Sequence, residues 1–277
     1  MYSTNIVDRV CITCGKSYKT TVYKLLGGEL DLSVGKCESC RIKSIKDESD
    51  NKIKAVIEQR ERWRKECGLT PRFIKCSFSD FELKNDSLKK VSGICASYAD
   101  KFPINYYQFI KTNKQYRSLV LASPVNGIGK THLVSAIINR ILDRWNGEDV
   151  VCPARIITEP DIYAQIKATF SYSMEERSMK PSEEDIIKSL IFTPLLVIDD
   201  MGKNQQNDMK FVQRTLFRII DGRYQRLFPI ALTTNLTLNG FKNYLGRDDS
   251  AILNRLTEMV EGKFIVLEGE SYRIKRA

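Results

Sequence analysis

Long apolar runs are missing from this chain of 277 residues: no stretch of about 18 consecutive apolar residues occurs, which excludes a membrane-spanning helix. The first residues, Met1 to Arg9, lack the apolar segment of a secretory signal. Internal repeats and low-complexity tracts are absent too, so a cytoplasmic globular protein is expected. Acidic residues are in deficit, 34 against 44 Lys and Arg, a net charge of +10 that favours an anionic partner, nucleic acid first. Charge alone names no partner. The remaining composition, 42% apolar and 28% charged, is ordinary, and the length fits one larger domain plus an appendage.

Histidine is nearly absent, with one residue, whereas cysteine is not, with eight. In a chain without an export signal, thiols are read as metal ligands or buried side chains before disulfides. Four form the pairs Cys11-Ile-Thr-Cys14 and Cys37-Glu-Ser-Cys40. Each Cys-x-x-Cys turn sets two thiolates on one side of a bend, and two turns supply a closed tetrahedral Zn²⁺ site with no position left open for catalysis. The 22 residues between the pairs hold β-prone Thr20 to Tyr23, enough for a small hairpin that the metal would stabilise. Cys67, Cys76, Cys95 and Cys152 are scattered and read as structural thiols.

Residues 1–45 therefore form an expected zinc domain, 46–75 a helical linker and 76–277 the main domain. The linker reading rests on a densely charged helix from Arg41 to Glu66 with opposite charges four apart, Glu58 with Arg62 and Glu61 with Lys65. Gly68 to Phe73 would break it. In the main domain, helices are expected over 88–102, 161–170, 183–190, 209–226 and 251–259. Strands are expected over 119–122, 150–158, 195–198, 229–235 and 263–268, with 171–181 a polar break.

The chemical landmark is Ser118 to His132, where the apolar run Leu119 to Ala122 feeds a glycine-bearing turn. Leu133, Val134, Ile137, Ile138, Ile141 and Leu142 then follow at the spacing of one helix face. Strand, loop and helix are the context of a phosphate-binding loop. The nucleotide-binding stretch is Asn126, Gly127, Ile128 and Gly129 with Lys130, Thr131 and His132: amides from Gly127 onward face the phosphates, Lys130 supplies an ammonium and Thr131 a Mg²⁺-ligating hydroxyl. Pro124 stands where the usual pattern has its first glycine. The second landmark, Leu195-Leu-Val-Ile-Asp199-Asp200, reads as a buried parallel strand ending in acids. Asp199 would hold Mg²⁺ through water and Asp200 would orient or activate the attacking water. Asn235, ending Pro229-Ile-Ala-Leu-Thr-Thr-Asn235, would position the γ-phosphate or that water.

These motifs together resemble the AAA+ ATPases of the DnaC, DnaI and IstB group over about residues 68–277. The resemblance is carried by Gly68-Leu-Thr-Pro-Arg-Phe73 and Ser77-Phe78, by Gly129-Lys-Thr-His-Leu133 and by Leu196-Val-Ile-Asp-Asp-Met-Gly202. Thr233-Thr-Asn235, Ile252-Leu-Asn-Arg255-Leu and Gly269-Glu-Ser-Tyr-Arg273 complete it. It implies an α/β AAA+ P-loop core with a parallel sheet and without a C-terminal lid, preceded by the small zinc domain. It also implies that Arg255 is an arginine finger reaching a neighbouring subunit's ATP, that Arg273 is a sensor 2-like contact, and that His132 is a helix-start residue. The finger implies hydrolysis that depends on homo-oligomer assembly, and Asp200, standing where most AAA+ proteins have glutamate, implies that it is slow. In this group a zinc-bearing N-terminal region implies docking on a hexameric replicative helicase and its loading onto single-stranded DNA. An IstB-like transposition helper and a nucleotide-dependent adaptor with little hydrolysis are the alternatives. Phe170, Tyr172, Lys203 and Lys210 are offered as contacts to DNA.

Overall fold

A computed structural model describes residues 3–25, 28–111, 117–147, 149, 151–203, 208–246 and 250–273. The chain divides into compact units, Met1–Glu58 and Gln59–Ala277.

In the first unit, β1 (Ser3–Val10), β2 (Ser17–Leu25) and β3 (Gly28–Asp31) form an antiparallel meander. Its buried side chains are few, chiefly Cys11, Val22, Ser33 and Cys37, too small an apolar core to hold 58 residues together unaided. Helix α1 (Glu38–Glu66) begins in this unit and carries the i,i+4 ion pair Lys54–Glu58. Its last turns belong to the second unit, where Trp63 is fully buried, so the indole is a packing residue.

The second unit is a three-layer α/β domain. Helix α2 (Asp86–Lys101) is capped by Asn85, whose side chain accepts the Leu88 amide, and it buries Leu88, Val91, Cys95 and Ala99 at helical spacing. The short α3 (Tyr106–Lys111), unforeseen in the sequence, follows and buries Phe109. Strand β4 (Leu119–Ala122) is buried throughout and leads into α4 (Lys130–Arg144). Strand β5 (Ala154–Thr158) is shorter than expected and lies at a sheet edge, where Pro153 is tolerated because no ladder amide is needed. Helix α5 (Glu159–Thr169) comes next. The expected polar break then contains a helix, α6 (Met174–Met179), because Ser173 and Glu176 make a reciprocal capping box. After α7 (Glu183–Phe192), β6 (Leu195–Met201) enters the sheet, followed by α8 (Met209–Tyr224) and β7 (Ile230–Thr234). Helix α9 (Leu238–Tyr244), also unforeseen, α10 (Ala251–Met259) and a two-residue β8 (Ile265–Val266) complete the domain.

The sheet order is β5-β6-β7-β4-β8, all parallel. Alternating side chains separate its two faces, as a period of two requires. Leu119, Leu121, Leu195, Val197 and Ala231 pack with α2 and α4, while Val120, Leu196, Ile198, Ile230 and Leu232 pack with α5, α7, α8 and α10. Each of the buried Val, Leu and Ile side chains contributes roughly 1.5–3 kcal/mol on burial, so both faces anchor the strand ends firmly. The phosphate-loop strand β4 lies between β7 and β8, which brings the carboxyl ends of β4, β6 and β7 to one rim. Fully buried Arg223 donates to the carbonyls of Leu190, Ile191, Thr193, Pro194 and Pro229, satisfying the end of α7 and the entries to β6 and β7. Among the described residues no helix is long and apolar enough to cross a membrane.

Candidate nucleotide site and thiol cluster

The rim holds a pocket of about 370 Å³ lined by Asn126, Gly127, Gly129, Lys130, Thr131 and His132 from the loop and α4 start. Asp200, Lys203, Asn235 and Arg273 converge on it from other segments. A larger cavity of about 540 Å³, between Arg64, Lys75 and Asn139, carries none of the phosphate-loop residues, so size does not locate the chemistry.

Gly129 caps α4 in the left-handed conformation, φ 102°, and has no side chain to cap with, so the first helix amides stay available to an anion. Lys130 is almost wholly buried, its Nζ 3.0 Å from Ser123 O and 3.1 Å from Val125 O. Burial pushes this ammonium down to about 8 from the usual lysine value, against the pull of Asp200 and Asp199. An ammonium held by two carbonyls and short of charge compensation is matched to a phosphate. With Pro124 in the loop, Gly127 and Gly129 take left-handed φ of 80° and 102° and Lys130 bonds the carbonyls on either side of it, Ser123 and Val125.

Thr131 Oγ1 donates to Asp199, with the two carboxylate oxygens at 3.0 and 3.2 Å. Asp199 also accepts from Thr233 Oγ1. Burial pushes its carboxyl up, opposed by the Thr233 hydroxyl and reinforced by the Asp200 charge. A buried acid raised in this way beside a threonine hydroxyl is a donor set that fits Mg²⁺, which takes a carboxylate and a hydroxyl alongside phosphate oxygens. Asn235 Nδ2 donates to Asp200 Oδ1 at 3.0 Å, and Lys203 Nζ lies 2.6 Å from Asp200 Oδ2. Lys203 therefore faces this pocket. Phe170 is exposed, and Lys180 sits 5.2 Å over the Tyr172 ring.

Arg273 reaches the loop from the far end of the chain. The Gly127 carbonyl accepts the Tyr272 amide at 3.0 Å, and a Cβ on Gly127 (φ 80°) would fall 2.5 Å from Ser271 Oγ and 2.9 Å from Arg273 Cγ. His132 bonds Ser77 O at 2.9 Å through Nε2 and lies 5.4 Å from the Phe81 ring, so it fastens the 77–81 segment to α4. Arg255 is elsewhere: on α10, with Nε 2.7 Å from Asp221 Oδ1 without an aligned hydrogen bond, and its guanidinium 4.8 Å over Phe217. It does not line this pocket. Sequence reasoning missed Phe81, Tyr272 and Glu159. Phe81 carries no phosphate-binding motif, Tyr272 stands in the terminal stretch Gly269–Arg273 where only the arginine was given a role, and nothing local in the sequence marks Glu159.

In the first unit the four sulfurs of Cys11, Cys14, Cys37 and Cys40 lie within 4.8 Å of one another, Cys14 and Cys37 at 3.7 Å. Tetrahedral Zn–S bonds of about 2.3 Å require sulfurs at about that spacing. The Cys37 amide donates to Cys11 Sγ at 3.3 Å, and that bond draws the Cys11 thiol down to about 6. Cys40 is pushed up, to about 12, chiefly by the Cys14 side chain. The cluster fits Zn²⁺, which would hold all four as thiolates.

A loop-bound lysine, a threonine facing a buried strand-end aspartate and the strand order given above define a P-loop nucleotide-binding protein of the AAA+ class. Comparison with known families is more specific. The chain belongs to the IstB-like ATP binding protein family, whose model matches residues 104–277. It is 27% identical over 206 residues, 74% of this chain and 72% of the relative, to a protein of Buchnera aphidicola subsp. Schizaphis graminum named replicative helicase loader DnaC. The Escherichia coli K12 protein of that name gives the same identity and coverage. Among solved structures, the DnaC helicase loader superposes with a TM-score of 0.53 at 19% identity, covering 72% of this chain and all of that one. DnaI gives 0.52 at 18%, covering 73% and 93%. These structures share the fold.

Proposed function

We propose that this chain is an ATP-dependent loader that places a hexameric replicative DNA helicase on single-stranded DNA. The observation that carries the reading is similarity over three quarters of the chain to proteins named replicative helicase loaders, joined to a P-loop site whose parts converge. The alternative of an adaptor that binds ATP with little hydrolysis has less support, because Asp200 and Asn235 are hydrogen-bonded to each other beside the pocket.

In this reading Lys130 and the amides from Gly127 to Thr131 bind the β- and γ-phosphates, and Thr131 with Asp199 would hold Mg²⁺, which would supply positive charge against the phosphates. Asp200, oriented by Asn235, accepts a proton from the attacking water. Arg273, beside Gly127, contacts phosphate from the same subunit. Arg255, remote from its own pocket, serves a neighbour's, so turnover follows assembly and is slow. Residues 1–45 with zinc and the linker 46–75 dock on the helicase, and 76–277 is the ATPase domain in the cytoplasm. Phe170, Tyr172 and Lys210 are candidates for the DNA path.

The test is co-purification of the tagged full chain with a hexameric replicative helicase and, in parallel, with a transposase. Binding to the helicase supports the proposal; binding to the transposase alone makes the chain a transposition helper.

A further inference from the structure

Glu159 is a carboxylate with no exposed surface, and none of the roles above uses it. It opens α5 directly after β5. Its Oε1 accepts from the Tyr163 hydroxyl at 2.8 Å and the Tyr244 hydroxyl at 2.6 Å, and its Oε2 accepts the Gly202 amide at 2.7 Å. Burial, reinforced by Glu159, pushes both phenols well up, so they remain donors.

Gly202 lies two residues beyond Asp200, in a backbone turn that does not hold itself. Asp200 has φ 59° and Gly202 φ 83°, and the register of β6 on β7 slips between Ile198 and Met201. The left-handed region costs a non-glycine residue roughly 1–2 kcal/mol, so surrounding contacts must impose it. Within the slip, the Asp200 amide donates to Thr233 Oγ1 at 2.9 Å. After it, Thr234 Oγ1 donates to Met201 O at 2.8 Å, and Glu159 takes the Gly202 amide. A Cβ on Gly202 would fall 2.4 Å from Leu236 Cδ1, so the turn also sits hard against the segment following Asn235.

We propose that Glu159 is a positioning residue: a buried clamp that fixes the left-handed turn carrying Asp200 and ties it, through Tyr244, to the helix that follows Asn235. It does not line the pocket and acts through Gly202. The proposal deepens the reading of the pocket as an ATPase site. A carboxylate is required because three donors converge on two acceptor oxygens. Glutamine keeps the shape but not the charge: with its oxygen on the two hydroxyls its NH₂ group opposes the Gly202 amide, and with its oxygen on Gly202 a neutral acceptor replaces the charged one.

The test compares Glu159→Gln with Tyr163→Phe in the full chain. Tyr163→Phe loses a bond of the same network but none to the turn. Hydrogen exchange of the 200–203 amides in the nucleotide-free protein is expected to accelerate at least about tenfold in Glu159→Gln, the scale of one lost hydrogen bond to a charged group. It is expected to stay at the wild-type rate in Tyr163→Phe. Turnover at saturating ATP is expected to fall at least about tenfold in Glu159→Gln with ATP affinity unchanged. Wild-type exchange in Glu159→Gln, or equal losses of turnover in both variants, overturns the clamp. If wild type binds ATP without turnover, the ATPase reading falls, while the exchange measurement still judges the clamp. Should Glu159→Gln not fold, Glu159→Asp, too short to reach all three donors, takes its place with the same readouts.

Discussion

Replacing Lys130 by methionine separates nucleotide binding from folding, because the structure gives opposite expectations for the two. The ammonium is buried, held by two carbonyls at 3.0 and 3.1 Å, and drawn down to about 8 by that burial. Removing it costs the nucleotide-free fold little, since methionine keeps the stem in place and no buried charge remains. Bound ATP would offer phosphate oxygens where the carbonyls now stand, and hydrogen bonds to charged groups contribute about 1.5–3 kcal/mol each. Two of them give at least about 3 kcal/mol, about a hundredfold in dissociation constant. The assay is thermal unfolding with Mg²⁺ and ATP at about 100 times the wild-type dissociation constant. Ligand at that level stabilises wild type by about 2.7 kcal/mol, or about 5–10 °C for a domain of this size. For Lys130→Met the same ATP stabilises by about 0.4 kcal/mol, about 1 °C. A variant that unfolds where nucleotide-free wild type does, yet keeps the full ATP shift, would refute the assignment of Lys130 to the phosphates.

Other consequences follow from the same geometry. Lys130 in the nucleotide-free fold sits near 8 and the unfolded lysine near 10.4. The unfolded chain thus binds more protons between these values, and this group makes nucleotide-free stability rise with pH across that window. ATP affinity has the opposite sign, falling by up to about tenfold per pH unit above about 8 with proton uptake on binding; calorimetry in buffers of different ionisation heat checks this, and a flat profile contradicts it. Arg255→Ala should leave ATP affinity unchanged and lower turnover of the assembled protein by about a thousandfold, so unchanged turnover removes Arg255 from the site. Metal analysis should find one Zn²⁺ per chain. Its removal by chelator, or Cys37→Ser, should abolish the β-sheet signal of the isolated residues 1–58, and metal well below one equivalent contradicts the thiolate site.

The sequence was most legible where chemistry and periodicity coincide. The run from Leu119 to Thr131 specifies strand, turn and helix within a residue or two, because buried strands and an amphipathic helix leave strong local patterns. The acids at 199 and 200 were legible for the same reason, sitting at the end of a run that is wholly apolar. Helices α6 and α9 were hidden by their length: one or two turns show no period, and they are set by caps at Ser173 and Thr237. The pocket's outer wall was also hidden. Phe81 and Tyr272, rings 5.8 Å apart, are 191 residues apart in the chain, and no local signal pairs them. Glu159 illustrates the same limit: only the fold brings Gly202 and Tyr244 to its oxygens.

The central claim is tested most directly by loading itself. Purified hexameric helicase, closed circles of single-stranded DNA and the full chain are mixed with ATP, and helicase retained on DNA after a salt wash is measured. The account predicts retention that needs the chain and ATP together and is lost with Lys130→Met. Retention that is the same without the chain, or unchanged by Lys130→Met, would contradict it.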